Sequence, residues 1–346
     1  MALTINTNIS SLIAQRSLTS ATDAMNSSIE KMTTGFKINH AKDNAAGYSI
    51  ANNWETKLGS LDVAADNAAT GLDLLTTAEE TYGLLTSHLQ RIRDLTEQAA
   101  NGTYGSQSLK AIQSEISARM YEVNRLSANS EFNGIKLMAF DTNNPANPLN
   151  KKVGITGAGI NLQVGLYADV NSVINLDIEL FSNASLSGLF RGMTGTTEDG
   201  KTFSQLLSAA NGNINKLGDE AGIEAFAAAC SGLKYIAGAS ATDPVKYYLQ
   251  EGAEYGAKEM LQFLDSAIDN VSSRVTKIGA AQNRVQSAVT ALDVQSQNLT
   301  SSLSTLRDTD IADESSNYIQ QQILQQASAT LLSTANQLPS IALNLI

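Results

Sequence analysis

Cysteine, histidine, aromatic residues and charge are all scarce in this chain of 346 residues, and each shortage closes off a class of function. The single cysteine, Cys230, allows no intrachain disulfide and no cysteine-based zinc site. Two histidines, His40 and His88, are too few for a three-histidine metal site and cannot form HExxH, so no metal or other cofactor is expected. Aromatic residues make up 5%, with one tryptophan, Trp54, which leaves few of the large side chains that fill an enzyme core. Charged residues reach 16%, against about 25% in an ordinary domain. With 23 basic and 34 acidic residues the net charge is −11, and nothing basic clusters, so nucleic acid is not an expected partner. No run of about 18 apolar residues is present, so no segment is expected to enter a membrane. The start, MALTINTNISSLIAQRSL, lacks the basic and then apolar order of a secretory signal.

The helix breakers are unevenly spread. Most of the 24 glycines lie between Gly134 and Gly256, together with Pro145, Pro148 and Pro244. From Ala280 to Leu338 there is neither glycine nor proline, and one helix of that length would be on the order of 90 Å long. Val285, Leu292, Leu299 and Leu306 recur every seven residues, with Val289 and Leu303 between them, as in a coiled-coil seam. Leu58, Leu61, Ala65, Ala68, Leu72, Leu75, Ala78, Tyr82, Leu85, Leu89 and Ile92 step by threes and fours. A third stripe, Leu109, Ile112, Ile116, Met120 and Val123, follows a turn at Asn101–Gly105, so these two helices should fold back on each other. The fold class read from this is mainly α: an elongated antiparallel helical bundle or coiled coil formed by both termini. Gly35, Gly47, Gly59, Gly71 and Gly83 are spaced by twelve, but that spacing marks no common helix face and reads as chance.

The middle should be different. Ile160–Gly165 and Ser172–Ile178 alternate in polarity around Asp169–Asn171, as a β-hairpin does. Beyond it, Phe203–Leu217 and Asp219–Ile236 look helical, and Asp243-Pro244 has the chemistry of a helix start. Residues 182–254 thus read as a variable, partly helical insert. Cys230, set among Ala227, Ala228 and Ala229, reads as a small buried residue rather than a reactive thiol. Gly154–Gly159 is a weak glycine-rich echo without the lysine that a phosphate site needs.

The two ends carry no charge before Arg16 or after Glu314. Ile319, Ile323, Ala327, Leu331, Ala335 and Leu338 form a stripe among Gln, Ser, Thr and Asn, and Ile5, Ile9, Leu12 and Ile13 sit in a similar setting. A membrane-surface helix normally carries Lys or Arg on its polar face, and these do not. The tails could pack on each other, or be buried among many copies, where neutral side chains hydrogen-bond without the desolvation cost of charge. A contact repeated by a rotation that does not close generates a helical filament. Tail segments without partners in the free chain should then be disordered.

Several stretches resemble bacterial flagellin. At the start these are Ile5–Asn8, Thr34–Gly47 and Ile50–Asn52, followed by Leu89–Leu95, Gln98–Thr103 and Phe132–Leu137. Near the end they are Gly279–Arg284, Ile323–Ala327 and Ala335–Pro339. Where that family often carries Ser-Ser-Gly-Leu-Arg-Ile-Asn, this chain has Thr33–Asn39, which keeps size and charge type. The resemblance implies an inner coiled-coil layer of residues 1–44 and 302–346, a helical rod with β-hairpin of 45–181 and 255–301, and an outer insert of 182–254.

It implies a structural subunit, not an enzyme, that polymerises with itself into the extracellular flagellar filament used for motility. Export would be unfolded, through the flagellar type III apparatus. The implied partners are a flagellar export chaperone gripping Ile319, Ile323, Leu324 and Leu331, the filament cap and the hook-junction proteins. Polymerisation would use Ile5, Ile9, Leu12, Ile13, Ile319, Ile323, Leu331 and Leu338. A host partner is the flagellin-sensing Toll-like receptor, whose epitope matches Gln90, Arg91, Leu95, Gln98, Ile112 and Glu115, with Arg91 as the hot spot. Alternatives are a hook-filament junction protein or a secreted immune-active ligand. A metallopeptidase insert, known in some flagellins, is disfavoured because the middle has no histidine. Glycosylation of the exposed middle is a family possibility.

Overall fold

The computed structural model describes residues 8–138, 159–167, 169–190, 220–236, 246–249 and 253–343. They form helices α1 (Ile9–Thr34), α2 (Ala45–Ala99) and α3 (Ser106–Asn129), then strands β1 (Glu131–Phe132), β2 (Ile135–Lys136), β3 (Ile160–Gln163) and β4 (Val173–Leu176). The short helix α4 (Leu186–Phe190), helix α5 (Glu220–Ser231), strands β5 (Leu233–Ile236) and β6 (Lys246–Leu249), and helices α6 (Ala253–Arg307) and α7 (Ile311–Leu343) complete the order. The chain divides into two compact units, one of residues 1–62 and 293–346, the other of residues 63–292.

In the first unit α1 lies closely along α7. Asn8 starts α1 by accepting from the Ser11 N–H at 3.1 Å, and Gly35 ends it in the left-handed region at φ 76, its N–H bonded to Lys31. The glycine- and proline-free stretch expected as one rod is in fact two helices, parted at Asp308–Asp310. Asp310 explains the break: its carboxylate accepts from the Ala312 N–H at 2.8 Å and so caps a new helix, with Asp313 and Glu314 at its positive end. Asp308 instead pairs with Phe36, Lys37 N–H donates to the Arg307 carbonyl at 2.7 Å, and Thr309 N–H donates to that of Gly35 at 2.9 Å. Asp43 folds the loop after α1 by accepting from the Asn39 and His40 N–H groups, which hold its carboxyl below the usual range.

The second unit is built on stripes visible in the sequence. Leu75, Ala78, Tyr82, Leu85, Leu89 and Ile92 of α2 share a core with Leu109, Ile116, Met120 and Val123 of α3 and with Met260, Leu264, Val271, Ile278 and Val285 of α6. Each large aliphatic side chain so buried contributes roughly 1.5–3 kcal/mol. α2 and α6 run antiparallel, as Gln282 donating to Glu79 at 2.8 Å and Arg93 to Asp265 at 2.5 Å require. Asn133 (φ 49) and Gly134 (φ 80) turn the chain tightly between β1 and β2.

The hairpin expected at 160–178 is present as β3 and β4, paired antiparallel from Ile160↔Leu176 to Gln163↔Val173. It lies on α2, where Asn67 donates to the Gln163 carbonyl at 3.2 Å and Leu162 occupies the space that a side chain at Gly71 would need. Two expectations for the middle require correction. The helix foreseen over Asp219–Ile236 stops at Ser231, because Gly232 (φ 70) turns the chain into β5. Asp243-Pro244 lies outside the described residues, and the residues just after it form strand β6 rather than a helix; Lys-Tyr-Tyr-Leu suits a strand, and it pairs with β5. Phe203–Leu217 also lies outside the described residues. Within the segment 182–254, Leu186, Leu189, Phe190, Ile223, Phe226 and Cys230 join the core of the second unit.

Candidate functional site

The tails meet through small side chains. Ala14, Ala21 and Ser28 on α1 are seven residues apart and buried, as are Ser328 and Ala335 on α7. Asn8 donates to the Ala335 carbonyl at 2.7 Å, Ser11 to the Asn336 side chain at 2.8 Å, and Gln325 to Thr22 at 3.1 Å. Lys31 and Glu314 close the other end at 3.9 Å. These pairs fix an antiparallel register, and the small seam permits the close approach. Both tails are therefore helical and partnered within the chain over the described residues.

The large apolar side chains point the other way. Ile9, Leu12 and Ile13 on α1 and Ile319, Ile323, Leu324 and Leu331 on α7 are all exposed, Ile323 to 60% and Leu331 to 62%. Ile5 lies outside the described residues, and Leu338 falls within α7 but its side chain is not among those described. Soluble chains rarely leave so many apolar side chains in water without a partner for them. The isoleucines and leucines expected to serve polymerisation are thus left exposed by the tail pairing, whose seam uses Ala335 of the expected α7 stripe together with Ala14, Ala21, Ser28 and Ser328, for which the seven-residue spacing was the available signal.

On the second unit Arg91 Nε donates to Glu115 Oε1 at 2.9 Å, and Arg119 approaches the same carboxylate at 3.8 Å. The Glu115 bond and charge raise the Arg91 pKa above its ordinary value. Gln90 and Gln98 are exposed and Arg91 and Glu115 half-exposed, so four of the six candidate receptor residues reach solvent. Leu95, 2% exposed, and Ile112 are members of the core, so their side chains serve packing rather than an outer surface. Leu95 continues the stripe of Leu85, Leu89 and Ile92, a sign of burial readable beforehand. Arg119, which the sequence reading missed, joins this charged cluster from one turn beyond Glu115.

Among the described residues no three His, Cys, Asp or Glu side chains gather as a metal site, and no helix is long and apolar enough to cross a membrane. Cys230 is buried, and burial pushes its thiol up to about 12, which leaves it unreactive.

Residues 5–142 match the family model described as the bacterial flagellin N-terminal helical region, and residues 261–346 match the bacterial flagellin C-terminal helical region. Polar flagellin F of Vibrio parahaemolyticus is 33% identical, with 100% of both chains covered. Flagellin B of Vibrio cholerae is 32% identical over the same full extent. The chain is also similar to the solved structure of FliC from Burkholderia pseudomallei over 66% of this chain and 99% of that one, at 17% identity and a TM-score of 0.28.

Proposed function

This chain belongs to the bacterial flagellin family, and from that premise we propose which of its surfaces build the polymer and which meet other partners. The chain is a structural subunit of the flagellar filament, not an enzyme, and it lies outside the cell as part of that self-assembled polymer. One observation carries the assignment of surfaces: the α1 and α7 pair satisfies itself through a small-residue seam and still presents Ile9, Leu12, Ile13, Ile319, Ile323 and Leu331 to solvent. Neighbouring copies bury these faces in an inner layer formed by residues 1–44 and 302–346. Around it lies the rod, residues 45–181 and 255–301, with residues 182–254 outermost.

Before assembly the same α7 face, Ile319, Ile323, Leu324 and Leu331, is held by the flagellar export chaperone. Export proceeds unfolded through the type III apparatus, and growth takes place beneath the cap, with hook-junction proteins at the base. In an infected host Gln90, Arg91, Gln98 and Glu115 present the surface that the flagellin-sensing Toll-like receptor reads.

The test uses substitutions that leave the seam alone. Ile323→Asp and Leu331→Asp alter exposed positions, where the effect on folding is within about 0.5 kcal/mol. Purified variants should keep wild-type circular dichroism yet fail to extend filament seeds in negative-stain electron microscopy. Normal filaments from the double variant would overturn the assignment of these faces.

A further inference from the structure

The sequence contains three Asn-Gly pairs, beginning at Asn101, Asn133 and Asn211. A glycine has no Cβ to shield its backbone nitrogen from the carboxamide before it, so such pairs are where an asparagine side chain is most open to attack by its own chain. Asn211 lies outside the described residues. Asn101 and Asn133 are both exposed, and so differ only in how the chain holds them.

Asn133 sits at φ 49 and Gly134 at φ 80, in a two-residue turn fixed by the pairing of Phe132 with Ile135. Its carboxamide reaches the Gly134 nitrogen only if the intervening peptide rotates, which breaks the β1–β2 pairing. Asn101, just beyond α2, is held the other way. Its N–H donates to the Gln98 carbonyl at 3.1 Å and its carbonyl accepts from the Tyr104 N–H at 3.4 Å, while its side-chain Oδ1 accepts from the Thr103 N–H at 3.3 Å. The last bond closes a ring of atoms that contains the Gly102 nitrogen, and so folds the carboxamide back over it. A donor on Oδ1 also stabilises the negative charge that this oxygen gains when a nucleophile adds to its carbon.

We propose that Asn101 is a site of spontaneous modification, its carboxamide presented by the loop after α2 to the Gly102 nitrogen for deamidation. The Gly102 nitrogen gives up its proton to solvent and bonds to Asn101 Cγ. The bond from Cγ to the side-chain nitrogen breaks, and ammonia leaves with a proton regained from solvent. Water then adds to one carbonyl of the cyclic imide and cleaves a C–N bond, leaving an aspartyl or isoaspartyl residue at position 101. No group is oxidised or reduced, and water is the sole co-reactant. The new carboxylate stands at the negative end of α2, in a cleft lined by Asp94, Glu97, Tyr104 and Lys258. Two of those side chains repel it and one attracts it. Since the ammonia is lost, the change records the age of each subunit.

Trypsin cuts after Lys and Arg and separates the three pairs into peptides 94–110, 126–136 and 202–216. The purified full-length chain is aged at mildly alkaline pH, folded and in urea, and mass spectrometry with fragmentation follows the gain at each asparagine. In the folded chain Asn101 should convert at least about tenfold faster than Asn133, and in urea the two rates should agree within about twofold. Gly102 lies outside the left-handed region and accepts a side chain, so Gly102→Ala should slow conversion at Asn101 by at least about tenfold and leave Asn133 unchanged. Equal protection of the two sites in the folded chain, or a folded rate at Asn101 more than about tenfold below its rate in urea, would overturn the proposal.

Discussion

The Arg307 guanidinium lies over the Phe36 ring, 4.2 Å from its centroid, where the chain has just left α1 on one side and α6 on the other. Arg307 also reaches Glu55 at 3.2 Å, while Lys37 extends to the Thr305 carbonyl at 2.8 Å. The stack thus closes a joint that the backbone pairing of Phe36 with Asp308 begins. Phe36→Ala removes a cation–π contact of about 0.5–2 kcal/mol. Amide hydrogen exchange at Lys37 and Thr309 should accelerate accordingly, with no change at Leu85 or Ile92. Unaltered exchange at the joint would show that the backbone bonds alone suffice.

Gly71 and Gly83 on α2 should respond oppositely to enlargement. A Cβ at Gly71 would lie 2.4 Å from Leu162 Cδ1, whereas one at Gly83 meets nothing within 4 Å. Gly71→Val should cost about 1–3 kcal/mol by forcing the β3–β4 hairpin away. Gly83→Ala should stabilise by roughly 0.5–1 kcal/mol through helix propensity alone. Urea titrations of the two variants decide this, and equal shifts of the same sign would show that the hairpin does not press on Gly71.

Burial lowers the His88 pKa below its ordinary 6.5, Arg119 acts in the same direction and Glu122 opposes, and Nδ1 has no partner in the interior. The folded value is therefore below the unfolded one, and the unfolded chain takes up the proton first. The stabilising contribution is present above about pH 6.5 and is lost as pH falls through the folded value. Unfolding free energies at about pH 7.5 and about pH 5 should show wild type losing more stability than His88→Gln. Parallel losses would place the acid sensitivity elsewhere.

Arg91→Ala breaks a partly exposed pair with Glu115, worth no more than about 1 kcal/mol to folding. The variant should keep its helical signal, while the reporter-cell response through the flagellin-sensing receptor should need about tenfold more protein. An unchanged dose response removes Arg91 from recognition.

Much of the helical framework could be read from periodicity. Val285 and Leu292 are buried and Leu299, Leu303 and Leu306 half-buried, as a seven-residue seam demands, and the alternation at 160–176 became the β3–β4 hairpin. What escaped depended on subtler chemistry. The break at Asp308–Asp310 contains no glycine or proline; an aspartate cap makes it, and caps compete weakly with strong helical pattern on either side. On α1 the seam within the chain uses Ala14, Ala21 and Ser28, because close helix approach needs small side chains, a selection that the hydropathy of Ile9, Leu12 and Ile13 does not record. At the candidate receptor surface Gln90, Arg91 and Glu115 reach solvent, while Leu95 and Ile112 obey the core stripe instead. The strands after Gly232 depend on pairing with residues distant in sequence, which local propensity does not record.

The bonds that align α1 with α7, from Asn8 to Ala335, Ser11 to Asn336 and Thr22 to Gln325, join neutral partners, with Lys31 and Glu314 the one ion pair described between the two helices. Nothing in the neutral bonds gains or loses a proton near pH 7, and dissolved ions screen charges rather than amide and hydroxyl contacts. Those three bonds are accordingly indifferent to the acidity and salinity of the water outside the cell, two variables that a swimming bacterium meets and does not regulate, and the response to both is confined to the Lys31–Glu314 end.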